Sequence, residues 1–327
     1  MQEDQKIRLV LDSLPDGVVT FDLDGRVLHC NQTAQAMLHL DPSHIGTISF
    51  LALAPVVSLF LREARHGDKE MIDLDGQAVQ LTYQDLKEDG QRVGAVLLLS
   101  DIGEQTRVER IRREFTANVS HELKTPLTSI SGYAELIATG MARTEDIPDF
   151  AERIRRESNR MLALVSDIIK LTELDERGMA QATEAVDLYA LAAESIENLR
   201  SAAMLRGVTI HLSGAKMFVN GNRTLLSELI YNLVDNAIRY NRDNGTVAVR
   251  VSNNVLTVRD TGIGIPKAHQ NRIFERFYRV DKSRSKATGG TGLGLAIVKH
   301  ICEQHHAAIS LSSREGIGTE ITITFPS

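Results

Sequence analysis

The sequence predicts a multidomain α+β protein, and three observations carry that expectation. Its 327 residues exceed what one core usually serves. Short strand-like runs broken by Asp-Gly pairs fill the first hundred residues, and a long helical stripe fills the middle. Helical and strand patterns then alternate to the end. Composition is that of an ordinary soluble chain, 43% hydrophobic and 24% charged. The net charge of −6 gives no nucleic-acid footprint, so no such partner is expected. Cys30 and Cys302 stand far apart with no metal-type spacing, which suits a reducing, cytoplasmic setting. No basic-apolar-small signal peptide opens the chain. Ile45 to Leu61 is uncharged but carries Gly46, Thr47, Ser49, Pro55 and Ser58 and falls short of a membrane span. A buried helix is expected there.

The first region covers residues 1–103. Lys6 to Leu14 reads as a short helix, with Ile7, Leu9, Val10, Leu11 and Leu14 apolar. Asp24-Gly25 separates Val18–Phe21 from Val27–Cys30, and Asp75-Gly76 and Asp89-Gly90 follow before Val93–Leu99. Asp-Gly between such runs is a hairpin signal, so a small α+β domain with an antiparallel sheet is expected. His29, Cys30, His39 and His44 read as structural residues rather than haem or flavin ligands.

The second region, residues 104–178, reads as two helices. Glu104 to Arg113 is dense in charge, as an exposed helical connector would be. It leads into Phe115-Thr-Ala-Asn-Val-Ser-His-Glu-Leu-Lys-Thr-Pro-Leu127. His121 and Thr125 lie at i and i+4 on one helical face, with Glu122 beside them. Imidazole can be a nucleophile near neutral pH, and a carboxylate on one ring nitrogen leaves the other free to attack. Pro126 either bends this helix, because the Glu122 carbonyl loses its N–H partner, or marks a helix start. The zinc motif H-E-x-x-H fails, since Thr125 stands where its second histidine belongs. After a break at Gly140–Thr144, a heptad stripe runs through Ile147, Ile154, Met161 and Ile168, paired with Phe150, Leu164 and Leu171 and interrupted by Glu157. Such a stripe needs a partner: a four-helix bundle made by two chains, or a monomeric bundle packed on its neighbours.

The third region, residues 179–327, carries helical patterns at Leu188–Leu205, Leu225–Tyr240 and Gly294–His305. Strand patterns fall at Val247–Val251, Val255–Arg259 and Glu320–Phe325. Asn232 and Asn236 share a helical face, where an amide oxygen can bind Mg²⁺ and the other amide can orient water or phosphate, with Arg239 and Tyr240 just beyond. Asp260-Thr-Gly262-Ile-Gly264 follows a strand, giving a carboxylate that can accept from an adenine amine and glycines that let backbone approach closely. Phe274-Glu-Arg-Phe277-Tyr-Arg279 sets an apolar pair beside basic residues. Gly289-Gly290-Thr291-Gly292-Leu293-Gly294 opens a helix N-terminus, which suits phosphate. Neither glycine loop is a P-loop or a Rossmann fingerprint.

The stretch from Phe115 to Leu127 resembles the phospho-acceptor box of sensor histidine kinases. The four later motifs, in this order, resemble the N, G1, F and G2 boxes of the GHKL ATP-binding superfamily, which also holds gyrase and heat-shock-chaperone ATPases. Leu14-Pro-Asp-Gly through Asn31 looks like the opening of a PAS sensory domain, which Asp101-Ile102 would close. Residues 1–103 are therefore read as a PAS-like domain and 104–178 as a dimerisation and phospho-acceptor hairpin. Residues 179–327 are read as a GHKL-type α/β sandwich that binds ATP. Arg113-Glu-Phe-Thr-Ala-Asn-Val-Ser120 resembles phosphate-regulon-type sensors.

The resemblance implies ATP-dependent phosphorylation of His121, with Glu122 as acid/base partner and Thr125 positioning water for dephosphorylation of a partner. It implies that Asn232 and Asn236 serve Mg²⁺ and phosphate, that Asp260 reads adenine, and that Gly262 and Gly264 shape the pocket. Arg239, Tyr240 and Arg279 would border the nucleotide. Gly290, Thr291, Gly292, Leu293 and Gly294 would form an ATP lid. Arg239 stands where many relatives have lysine, a departure that keeps charge but not the point-like ammonium. A homodimer and a response regulator are the implied partners. Such sensors normally carry transmembrane helices ahead of the PAS domain, so this chain reads as a cytoplasmic portion of a longer, membrane-tethered protein. Two other classes fit parts of the sequence: a GHKL ATPase that drives clamp closure, and a ligand-sensing scaffold with a silent kinase.

Overall fold

A computed structural model describes residues 9–176, 183–281 and 290–326. The chain divides into two compact units, Met1–Thr116 and Ala117–Ser327.

In the first unit, strands β1 (Gly17–Phe21), β2 (Val27–Cys30), β3 (Lys69–Leu74), β4 (Gln77–Glu88) and β5 (Gln91–Asp101) form an antiparallel sheet in the order β2-β1-β5-β4-β3. The β3–β4 and β4–β5 hairpins turn on the Asp-Gly pairs. Asp75 and Gly76 have φ of 53° and 84°, and Asp89 and Gly90 have 50° and 82°. Two successive left-handed residues make the turn whose twist matches paired strands. Val19, Phe21, Leu81, Leu97 and Leu99 form the core face, covered by Val57 and Phe60. Asn31 is fully buried and fully satisfied. Its oxygen accepts from Val18 and Ala34 N–H groups at 2.8 and 2.9 Å, and its amide donates to Leu11 and Asp16 carbonyls at 2.8 and 2.9 Å. It thereby caps α1 (Gln32–Leu38) and ties the sheet to the segment before it. His39 caps the other end of α1 and bonds Asp75, whereas His29 buries Nε2 without a partner among the described residues.

The helix expected over Ile45–Leu61 is present only in its second half. The helix α2 is Pro55–Glu63, preceded by a 3-10 turn at Phe50–Ala52 capped by Ser49. Gly46 sits at φ 88°, and Pro55 takes the first helical position, where its missing N–H costs nothing. Val57 and Phe60 face inward while Leu59 is exposed, so the helix is amphipathic rather than buried. No described helix is long and apolar enough to cross a membrane. The Lys6–Leu14 expectation falls partly outside the described residues.

The second unit takes in the helix α3 (Gly103–Ala138) from Ala117 onward, and α4 (Ile147–Glu176). Pro126 lies inside α3, so it marks no helix start. Tyr133 and Phe150 bring the two helices together, with ring centroids 5.2 Å apart. Of the predicted stripe, Leu164 and Leu171 are buried. Leu162, Val165 and Ile169 form a second apolar stripe at i, i+3 and i+7 that is open in the single chain.

Beyond them lie β6 (Glu184–Asp187), α5 (Leu188–Leu205), β7 (Thr209–Gly214), β8 (Phe218–Gly221) and α6 (Arg223–Arg239). They are followed by β9 (Thr246–Ser252), β10 (Val255–Asp260), α7 (Gly294–Gln304), β11 (Ala308–Arg314) and β12 (Gly318–Thr324). A five-stranded sheet runs β11-β12-β10-β9-β7, antiparallel except for the parallel β7–β9 pair, and β6 pairs with β8 apart from it. Val247, Val249 and Val251 alternate inward on β9, and Leu229, Ile230 and Leu233 of α6 and Ile297 and Ile301 of α7 are likewise buried, making an α/β sandwich. Each such fully buried aliphatic side chain is worth about 1.5–3 kcal/mol of burial. That core fixes α6, the end of β10 and the start of α7 beside one another.

Candidate active site

His121 is exposed on α3, and its ring makes no hydrogen bond among the described residues. Its neighbour Glu122 is engaged elsewhere. One carboxylate oxygen accepts from Arg160 of α4 at 3.2 Å and from Arg279 at 3.3 Å. Both guanidinium groups are largely buried, and Arg160 also faces Glu157 at 3.7 Å. Burial pushes the Arg279 guanidinium below its ordinary range, with Glu122 opposing the shift, and its Nε is buried without an acceptor among the described residues. The Thr125 hydroxyl donates to the His121 carbonyl at 3.2 Å, a local back-bond.

The four motifs of the third region converge. A Cβ on Gly294, the first residue of α7, would lie 2.7 Å from Asn232 Oδ1 and 3.6 Å from Asn236 Nδ2. One on Gly290 would lie 3.0 Å from the Tyr240 hydroxyl and 3.8 Å from Arg239. The Phe277 N–H donates to the Gly292 carbonyl at 2.9 Å, and Gly292, at φ 76°, also abuts the Arg279 side chain. Thr291 donates to Asp167 of α4 at 2.7 Å, and the buried Leu293 follows it. Gly289 lies outside the described residues.

Asp260 ends β10. Its Oδ1 accepts from the Gly262 and Thr319 N–H groups at 2.8 and 3.1 Å, and its other oxygen has no hydrogen bond among the described residues. Burial pushes this carboxyl above its ordinary range, and those two N–H groups oppose the shift. The glycines after it are explained by protein backbone. A Cβ on Gly262 would meet the Tyr240 carbonyl at 2.3 Å, and one on Gly264, at φ 67°, would meet the Arg314 carbonyl at 2.1 Å. The two glycines let these chain segments touch.

Arg160, Asp167, Lys170 and Glu228 escaped the sequence reading. One signal was present: Glu157 breaks an apolar stripe because it partners Arg160. Glu228 stands one turn before Asn232, on the same helical face.

Three family models match the chain in order. They are a PAS domain over residues 5–71, the His Kinase A (phospho-acceptor) domain over 111–177, and the histidine kinase-, DNA gyrase B- and HSP90-like ATPase over 221–327. The sensor protein kinase WalK of Staphylococcus aureus is 34% identical over 339 aligned residues, covering 99% of this chain and 82% of that protein. The chain belongs to the sensor histidine kinases. A WalK of Staphylococcus haemolyticus (strain JCSC1435) is also 34% identical, and there the chain spans 56% of the relative's length. Both of these relatives are named as WalK sensor kinases. Among solved structures, histidine kinase ThkA in complex with response regulator protein TrrA aligns with a TM-score of 0.52 at 19% identity, covering 97% of each chain. Acinetobacter baumannii histidine kinase AdeS aligns at 0.51 and 22%, covering 63% of this chain and 96% of that one. Both share the fold.

Proposed function

We propose that this sensor kinase phosphorylates His121 from ATP, passes the phosphoryl group to an aspartate of a response regulator, and dephosphorylates that regulator. The observation that carries this reading is the convergence of four separated motifs on one cleft whose border residue, Arg279, already touches the acceptor helix through Glu122. The Asp260 oxygen that has no hydrogen bond among the described residues would accept from the adenine amine. The glycine run before α7 would face the phosphates with Arg239, Tyr240 and Arg279. Asn232 and Asn236 fit a magnesium ion, which prefers oxygen donors and keeps much of its water. Bound there, it would neutralise phosphate charge.

His121 attacks through the ring nitrogen that Glu122 does not hold, the γ-phosphorus–oxygen bond breaks, and ADP leaves. Catalysis rests on positioning and charge. Because Arg160 and Arg279 hold Glu122, orienting the imidazole requires that Arg279 exchange Glu122 for phosphate. The open stripe of Leu162, Val165 and Ile169 supports a homodimer, in which a second copy covers it. ThkA was solved with a response regulator, which supports such a partner here. The domain limits near residues 103 and 178, and a cytoplasmic place within a longer membrane-tethered sensor, belong to the same reading.

Incubation with γ-labelled ATP and Mg²⁺ tests it. Label on the protein should be lost in acid and should move to a response regulator when one is supplied. Steady ATP hydrolysis with no protein label would instead favour a clamp-type ATPase. Within the acceptor box, Glu122→Ala should cripple autophosphorylation first. Thr125→Ala should leave that step within a few-fold yet slow regulator dephosphorylation by roughly 10–100-fold, the range of a lost positioning contact. Thr125 also back-bonds the His121 carbonyl, so equal losses of both activities would show that its work is purely structural.

A further inference from the structure

The Asn232 side chain is held in one orientation. Its Nδ2 lies 2.9 Å from the Glu228 carbonyl and 3.0 Å from Glu228 Oε1. Both neighbours are acceptors, so the atom facing them must be the NH₂ group. The amide oxygen is therefore turned the other way, toward Gly294 at the mouth of α7, where any side chain would collide with it. Glu228 is in turn gripped by α4: Lys170 Nζ donates to both its carboxylate oxygens at 2.9 Å. One helical turn earlier, Asp167 accepts from Thr291. Two residues on one face of α4 thus reach both walls of the nucleotide cleft. A free Glu228 carboxylate near a triphosphate would repel it, and Lys170 offsets that charge while fixing the carboxylate in place.

We infer that Glu228 is a positioning residue of the nucleotide site, holding the Asn232 amide so that its oxygen is presented to the metal-bound phosphates, with Lys170 of the acceptor hairpin holding Glu228. This rests on the assignment of Asn232 to that site. The hairpin thereby helps to shape the site from which its own histidine is phosphorylated.

The experiment is a set of variants of the full chain, read by titration of Mg²⁺-ATP binding and by the autophosphorylation rate at saturating nucleotide. Glu228→Ala should raise the Kd about tenfold, the loss of one charge-assisted hydrogen bond, and leave the saturated rate within about twofold. Glu228→Gln keeps an oxygen that can accept from Asn232 and should restore the Kd to within about twofold of the starting protein. Glu228→Ala should add nothing once Asn232 is already alanine, because partners acting through one contact are not additive. Lys170→Met should raise the Kd roughly threefold, as for a partly exposed ion pair, and should have no effect in the Asn232→Ala background. It alters a side chain exposed enough to be replaced safely, so it reads the coupling even if Glu228→Ala does not fold. Additive losses, or no change in Kd from either Glu228→Ala or Lys170→Met, would overturn the inference and leave Asn232 in the site. No change in Kd from Asn232→Ala would remove Asn232 from the site, and the inference with it.

Discussion

His121→Gln should abolish phosphorylation of the protein, by at least about a thousandfold, the scale on which losing a covalent nucleophile acts. Its affinity for Mg²⁺-ATP should stay unchanged. Glutamine has similar reach and polarity but no nucleophilic nitrogen. The site is also forgiving, since the imidazole is exposed and bonds nothing among the described residues, so its replacement leaves no buried group without a partner. Three other histidines of the second unit are held by the protein, and the exposed His211 and His306 lie outside the acceptor box. His305 accepts from the Asn222 N–H at 3.1 Å, His300 bonds the Leu174 carbonyl at 3.0 Å, and His269 meets the Tyr278 hydroxyl, each doing structural work within the sandwich or beside it. In the proposed reading α6, Asp260 and the glycine run hold the nucleotide, and none of them uses the imidazole. Intact-mass or label measurements alongside a binding titration check both halves. Residual label on the variant would move the acceptor to another residue, and a parallel loss of ATP affinity would show that His121 supports the cleft.

Local chemistry was legible in the sequence, and contact across long separations was not. The Asp-Gly pairs predicted the β3–β4 and β4–β5 turns because two left-handed residues in succession leave few alternatives. The helices α5, α6 and α7 were readable from periodic apolar residues, and β9 and β10 from strict alternation. The strands β7 and β11 were missed for a physical reason. They are the sheet edges, only partly buried, and Ser, Thr and His on them blur the alternation. The Ile45–Leu61 reading failed because absence of charge was weighed above Gly46 and Pro55, which decide where a helix can run. At the candidate site, motif residues were visible because each sits in a local pattern. Arg160 and Glu228 were not, since Arg160 is 38 residues from Glu122 and Lys170 is 58 from Glu228. The glycines carried a further lesson. Gly262 and Gly264 were read as room for a ligand, yet the room is taken by the Tyr240 and Arg314 carbonyls.

Asp260→Asn should lower ATP affinity about 100-fold while stabilising the nucleotide-free protein; the first effect follows from two backbone hydrogen bonds that fix the side chain, the second from its burial. Backbone N–H groups of Gly262 and Thr319 point at one carboxylate oxygen. Asparagine must place its carbonyl oxygen there, so its NH₂ group occupies the position of the oxygen that would face the adenine amine. An acceptor becomes a donor, and two donors then oppose each other. Stability moves the other way. Burial raises the Asp260 carboxyl above its unfolded value, so the folded state holds this proton to higher pH than the unfolded state does. Stability is therefore lost as pH rises from the ordinary aspartate range through the raised folded value, and the loss persists at neutral pH. Asparagine carries no such penalty. The melting temperature of the nucleotide-free variant should exceed that of the parent at pH 7, and the gap should close as pH falls below the ordinary aspartate range. Thermal melts across pH, run with and without Mg²⁺-ATP, measure both effects in one series. A variant that still gains the parent's full stabilisation from nucleotide would remove Asp260 from the adenine site. A lower melting temperature at neutral pH would show that the two N–H bonds outweigh the burial of the charge.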